Sequence, residues 1–199
     1  SGGDDVNIIA IDPGANGGKR QIVETAKKIR EAKRPHVANN SGENEWYTPP
    51  DIIERARLVM GTIDCDPASS EIANETVQAD TFFTIDDDGL SQTWMGNVWL
   101  NPPYAQPAIA EFAEAVSVKY ESGEITRACV LVNNATETNW FQRMLRTCTA
   151  VCFIKGRIRF LDPQGNPGSP LQGQAMLYFG EDDACAFQEH FDEIGVVLT

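Results

Sequence analysis

Asn97-Val98-Trp99-Leu100-Asn101-Pro102-Pro103-Tyr104 sets an apolar run, a double-proline turn and an aromatic ring side by side. Val98, Trp99 and Leu100 predict a short buried strand, and Ile109, Phe112, Ala113 and Val116 at helical spacing predict a helix starting just after the turn. Strand, turn and helix in that order fit an open α/β sheet, in which ligands bind at the carboxyl ends of the strands. Two consecutive prolines fix φ and remove backbone N–H donors, so the turn offers an Asn amide and bare carbonyls. Such a set accepts hydrogen bonds: the Asn101 side-chain oxygen and the Pro102 carbonyl can hold the two protons of an exocyclic amino group. Tyr104 adds a face on which a planar ring can stack.

Outward from this turn, apolar runs alternate with helical stripes. Asp51 to Met60 carries Ile52, Ile53, Ala56 and Val59 on one stripe, with Pro49-Pro50 at its start, Gly61 as its stop, and Thr48 placed to cap it. Thr62 to Asp66 predicts the first sheet strand, turning at Pro67-Ala68-Ser69-Ser70 toward a helix; alternation puts Asp64 and Asp66 on one face. An acid at a strand end beside a helix start suits a zwitterion, the carboxylate taking an ammonium and backbone N–H groups taking a carboxylate. Asp80 to Thr84 leads into Asp86-Asp87-Asp88-Gly89-Leu90, readable as a cation site or a solvated turn. Pro107 to Tyr120 predicts a helix, Ala128 to Val132 a strand ending in Asn133-Asn134-Ala135-Thr136, Trp140 to Leu145 a helix and Ala150 to Ile154 a strand. In Lys155-Gly156-Arg157-Ile158-Arg159-Phe160 bases alternate with apolar residues. That suits a strand or ribbon whose basic side meets phosphate while its aromatic lies by a base, or an ordinary amphipathic edge strand. Asp162 to Gly173 is a Gly- and Pro-rich loop, and Ala175 to Phe179 is the strand expected to close the sheet.

In order, Glu45-Trp46-Tyr47-Thr48-Pro49-Pro50, Asp64 to Ser70, Asp86 to Leu90, Asn101 to Tyr104, Asn133 to Thr138 and Lys155 to Phe160 resemble the phage-type DNA N6-adenine methyltransferase (Dam) family. Asn-Pro-Pro-Tyr alone is shared with amide and RNA methyltransferases; the ordered set, spanning residues 44 to 180, is the specific part. The resemblance implies an α/β, Rossmann-like class I methyltransferase fold with a largely parallel central sheet, not circularly permuted. It also implies S-adenosylmethionine as cofactor, DNA as partner, a phage or prophage setting and no metal. Asn101, Pro102, Pro103 and Tyr104 would then surround the reacting amino group. Tyr47, Thr48, Pro67, Ala68, Ser69 and Asn101 would line the cofactor, with the Thr48 segment closing over its methionine end and Asp88 accepting from its adenine amino group. Tyr104, Lys155, Arg157, Arg159 and Phe160 would face DNA. Most methyltransferases carry a Gly-rich turn where this chain has Asp66-Pro67-Ala68-Ser69, which leaves open whether Asp64 or Asp66 touches the cofactor.

At 199 residues the chain predicts one α/β domain, residues 44–199, preceded by a short helical amino-terminal arm, residues 1–43, partly flexible and without a large separate recognition domain. The boundary falls in the polar Asn39 to Asn44 linker. Within the arm, Ile22, Ala26 and Ile29 share a helical stripe with a basic opposite face, ended by Pro35. Ile8 to Gly14 resembles the first metal-binding strand of RNase H-like resolvases, but the rest of that sheet has no room before Tyr47. An edge strand, a disordered lead-in or a remnant of a longer protein remain as its readings. Neither a membrane span nor a secretion signal is visible, so a cytoplasmic protein is expected. Five cysteines, mostly within apolar runs, predict reduced core thiols, and Cys148-x3-Cys152 has no nearby histidine to make a metal site.

A formal charge of −13 argues at first against a nucleic-acid partner, but the charge is segregated. Residues 19–34 hold seven bases against two acids, residues 138–161 hold five bases and no acid, and residues 162–199 hold no Lys or Arg. Such a field steers a polyanion to one face, though either cluster also fits an ordinary solvated surface. The expected activity is methyl transfer from S-adenosylmethionine to N6 of adenine in DNA, with the target base extruded because stacking hides N6. The rivals are a same-fold enzyme acting on N4 of cytosine, RNA or a protein glutamine, and an inactive DNA-binding module.

Overall fold

The computed structural model describes residues 46–169, 172–181 and 184–199. The basic helix, the Ile8 to Gly14 run and the expected arm boundary lie outside the described residues. Twelve elements follow one another: α1 (Pro50–Met60), β1 (Cys65–Asp66), α2 (Glu71–Val77), β2 (Thr81–Phe82), β3 (Gly96–Leu100), α3 (Ala108–Glu121), β4 (Ile125–Asn133), α4 (Asn139–Leu145), β5 (Ala150–Ile154), β6 (Gln174–Phe179), α5 (Cys185–Phe191) and β7 (Gly195–Leu198). The strands form one sheet in the order β2-β1-β3-β4-β6-β5-β7. From β2 through β4 every pairing is parallel, while β6 pairs antiparallel with β4 and β5, and β7 antiparallel with β5. Thus β1 to β5 all point the same way, and their carboxyl ends make one rim. This is a Rossmann-like methyltransferase fold.

Helices cover both faces of the sheet, which is why its inner strands are apolar throughout rather than alternating with polar residues. Along β4, Ala128, Val130 and Val132 join α3 and α4 in one core layer, and Cys129 and Leu131 join α1 and α5 in the other. Helix α1 begins at a proline and stops where Gly61, at φ 86°, donates its N–H to the Arg57 carbonyl; that conformation favours a residue without a Cβ. Arg143 on α4 reaches back to α3, donating to Glu121 at 2.7 Å and Glu114 at 3.2 Å. It is therefore spent on helix packing, and the basic cluster expected over 138–161 is reduced by one member.

Three sequence expectations change. Ala175 to Phe179 does not close the sheet: β6 inserts between β4 and β5, and β7, which sequence did not announce, forms the edge. Helix α5 was likewise unread. Lys155 to Phe160 is not a strand, because Gly156 at φ 81° turns the chain off the sheet directly after β5. No helix among the described residues is long and apolar enough to cross a membrane. No disulfide joins the five cysteines, of which Cys65, Cys129 and Cys152 are buried, and burial pushes Cys65 and Cys152 up to about 11.

Candidate active site

Residues from separate motifs meet at the rim because β1, β2, β3 and β4 are neighbours ending on the same side. At the end of β1, Asp66 is 2% exposed and accepts one hydrogen bond of good geometry, from the Ala68 N–H at 3.2 Å. Burial pushes its carboxyl up to about 7, against the pull of that N–H. The Ser69 hydroxyl lies near enough to soften the shift, but its oxygen is buried without a hydrogen-bond partner. A buried acid with unused acceptor capacity beside an orphaned hydroxyl is what a ligand carrying an ammonium and further polar groups would satisfy. Asp64, expected on the same face, does different work: its Oδ2 accepts the Asn97 N–H at 2.8 Å, fastening β1 to the start of β3 at the opposite end from the rim. Gly96 at φ 67° leaves room for that carboxylate, which a Cβ there would meet at 2.0 Å.

The acidic loop is docked onto the β1 turn. A Cβ on Gly89 would meet the Pro67 carbonyl oxygen at 1.9 Å, so only glycine permits this approach. The Gly89 carbonyl in turn accepts the indole N–H of the fully buried Trp94 at 2.7 Å. Asp87 is used within the loop, accepting from the Thr84 N–H at 2.8 Å and hydroxyl at 2.7 Å, which holds its carboxyl below the usual range. Asp88, in the left-handed region at φ 55°, stands directly before Gly89 and is carried to the edge of the Asp66-Pro67 turn. Sequence reading placed Asp88 near a cofactor but missed Gly89 as the residue that brings it there. Gly89→Ala should cost about 1–3 kcal/mol of stability by overpacking, read as a lowered chemical-denaturation midpoint; an unchanged midpoint would show that the loop is not held against Pro67.

After β3, the Asn101 side chain is gripped from two sides. Its Nδ2 donates to the Thr48 hydroxyl at 3.2 Å, and its Oδ1 accepts the Tyr104 hydroxyl at 2.9 Å. Thr48 is 5% exposed and does not cap α1, whose capping residue is Pro49 without a side-chain hydrogen bond. Its partner is instead the Asn of the proline turn. Burial raises the Tyr104 phenol well above its ordinary range, so it stays a neutral donor. Tyr47 exchanges backbone hydrogen bonds with Leu161, both at 2.8 Å, which ties the Thr48 segment to the loop after β5. In that loop Lys155, Arg157 and Arg159 are exposed, while Ile158 is buried and Phe160 packs on the core layer of α1 and α5. Phe160 thus packs inward, in the core layer on the sheet face opposite that of Tyr104. Among the described residues no three His, Cys, Asp or Glu side chains cluster as a metal would require.

Fold and rim together define a Rossmann-like methyltransferase fold whose proline turn stands one strand away from a buried carboxylate. The chain belongs to the DNA N-6-adenine-methyltransferase (Dam) family, whose family model matches residues 36–179. A DNA N-6-adenine-methyltransferase of Escherichia phage T1 is 26% identical over 146 residues, covering 71% of this chain and 58% of the phage protein. The chain therefore spans less than two thirds of that relative's length. No solved structure gives a significant match.

Proposed function

We propose that this protein methylates N6 of adenine in DNA, taking the methyl group from S-adenosylmethionine and the target base from an extruded position. The observation that carries the reading is the pairing of β1 with β3, which sets buried Asp66 beside the Asn101-Pro102-Pro103-Tyr104 turn on one rim. The name of the phage T1 relative and the family description point to the same reaction. When bound, S-adenosylmethionine supplies an electrophilic methyl group. Asp66 would receive its ammonium and Ser69 would offer it a hydroxyl, with Asp88 available at the edge of the same turn. Asn101 Oδ1 and the Pro102 carbonyl accept from the adenine amino group, which aims the nitrogen lone pair; catalysis rests on that orientation, and the released proton passes to solvent or these acceptors. Tyr104 OH holds Asn101 Oδ1 before substrate arrives, so the incoming amino group exchanges for the hydroxyl. Tyr104 then contributes its ring face.

DNA is met by the exposed bases of the loop after β5. Replacing Arg157 and Arg159 by Gln should lower the salt slope of log affinity for duplex DNA by about 0.9 for each phosphate that is no longer neutralised. Unchanged affinity and slope in filter binding would remove this loop from the interface. The activity itself is tested by incubating the protein with labelled S-adenosylmethionine and DNA, RNA or protein, then digesting the product. N6-methyladenine in DNA is the expected result. N4-methylcytosine would retain the mechanism and change the base, and label confined to RNA or protein would overturn the proposal.

A further inference from the structure

Thr48 stands between a clamped residue and a proline. Tyr47 exchanges both of its backbone hydrogen bonds with Leu161 at 2.8 Å, and Pro49, at φ −56°, disfavours helical backbone in the residue before it. Thr48 is thus left little backbone freedom, and it is buried where the chain enters α1. A threonine in such a place often caps the helix, yet α1 is capped by Pro49 without a side-chain hydrogen bond. The Thr48 hydroxyl lies instead 3.2 Å from Asn101 Nδ2, across 53 residues of sequence. An amide nitrogen only donates, so the hydroxyl accepts. The other end of the same amide is held by Tyr104, whose hydroxyl donates to Oδ1 at 2.9 Å and lies 3.5 Å from the Leu131 carbonyl, too far to compete. With the Tyr104 proton committed to Oδ1, the nitrogen is the end left for Thr48.

Building on the methyltransferase reading, we infer that Thr48 is a positioning residue for methyl transfer: it braces the nitrogen end of Asn101 so that Oδ1 stays turned to the crevice while the incoming amino group takes the place of the Tyr104 hydroxyl. During that exchange one donor leaves Oδ1 and another arrives, and the Thr48 bond is the one that persists. Without it the amide is held at neither end. A half-turn about its last torsion then presents Nδ2, a donor, to an amino group that also donates. Thr48 acts through Asn101 and touches no reacting atom. Closing over the methionine end of the cofactor, which the family resemblance implies for this segment, is a separate role with a separate readout.

Two variants test this. Thr48→Val keeps the shape and removes the acceptor, while Thr48→Ser keeps the oxygen. Single-turnover methyl transfer to DNA should slow by about tenfold or more in Thr48→Val and stay within about threefold of the parent in Thr48→Ser, with the dissociation constant for S-adenosylhomocysteine within about twofold in both. In an Asn101→Ala background Thr48→Val should add less than about twofold to the loss, because a brace then has nothing to hold. Transfer by Thr48→Val within about threefold of the parent, an equal loss in Thr48→Ser, or a further loss of about tenfold on top of Asn101→Ala would overturn the inference. Cofactor affinity weakened by about tenfold in Thr48→Val would overturn it too, by assigning the hydroxyl to the cofactor. Another measurement needs no variant. In the parent, a nuclear Overhauser contact between the Asn101 Nδ2 protons and the Thr48 methyl group should be present without ligand and survive saturation with S-adenosylhomocysteine. Its absence, or its loss on saturation, would overturn the inference. If the parent labels no DNA, the methyltransferase reading fails, and this contact still decides whether Thr48 braces Asn101.

Discussion

Asn101→Ala is expected to bind S-adenosylmethionine nearly as the parent does and to transfer its methyl group at least about a hundredfold more slowly. The side chain lies one strand from Asp66, so the ammonium partner is untouched, but the substrate nitrogen is deprived of the acceptor that aims it; misplacement by about 1 Å costs on the order of 10²-fold. Calorimetry with S-adenosylhomocysteine and single-turnover label transfer separate the two effects, and transfer within tenfold of the parent would remove Asn101 from the reaction. Tyr104 sharpens the test. Tyr104→Phe keeps the ring and deletes the hydroxyl that occupies Asn101 Oδ1 at 2.9 Å. That hydrogen bond is worth about 0.5–1.5 kcal/mol net, so kcat/KM for DNA should hold or rise by up to roughly tenfold. Tyr104→Ala should instead forfeit about 1–3 kcal/mol of base stacking.

Asp66→Asn is expected to weaken cofactor binding at pH 7.5 by about 1.5–3 kcal/mol and to abolish its pH dependence. In the parent, burial raises this carboxyl from 3.8 to about 7. The unfolded chain therefore ionises first: without ligand, Asp66 does not penalise folding below about pH 4, and stability is lost as pH rises through about 7. An arriving ammonium reverses the preference, because it binds the ionised carboxylate. Cofactor affinity should thus climb from pH 5 to about 7, by up to tenfold per unit, then level, with one proton released on binding at the acid end. Calorimetry in buffers of different ionisation enthalpy counts that proton. Affinity that is flat between pH 5 and 7.5 in the parent would show that Asp66 does not hold the ammonium. Asn in its place should also raise the thermal midpoint of the ligand-free protein at neutral pH relative to the parent.

The parts of the fold legible in the sequence were those where local and tertiary preferences agree. Val98 to Leu100 is apolar on both faces because the sheet is covered on both faces, and Pro50 and Gly61 bracket α1 by chemistry that operates within one turn. Where β6 sits was not legible: an apolar strand carries no mark of which neighbours it pairs with, and inserting it between β4 and β5 needs a long excursion that only tertiary contacts fix. The candidate site divides in the same way. Asn101, Tyr104 and Asp66 could be named from turn chemistry and strand ends. Alternation put Asp64 beside Asp66 on one face, yet two residues of strand separate rim from base, and only the Asn97 partner shows which end Asp64 serves. Gly89 had no local signal, since it matters through a carbonyl 22 residues away in sequence.

Because β6 runs against its neighbours, Gln174 begins at the very rim where Ile154 ends, so the connection from β5 to β6 is an arch that leaves and returns at that rim. Its span is set by the spacing of adjacent strands and not by the number of residues it contains. Doubling the length of such a connection costs only about 0.6 kcal/mol of closure entropy. The arch can thus be lengthened, shortened or exchanged while the strands beneath it keep their register, with Tyr47 and Gln174 as its fixed moorings. In evolutionary terms it is a cassette that can vary in length and sequence without disturbing the rim at Asp66 and Asn101.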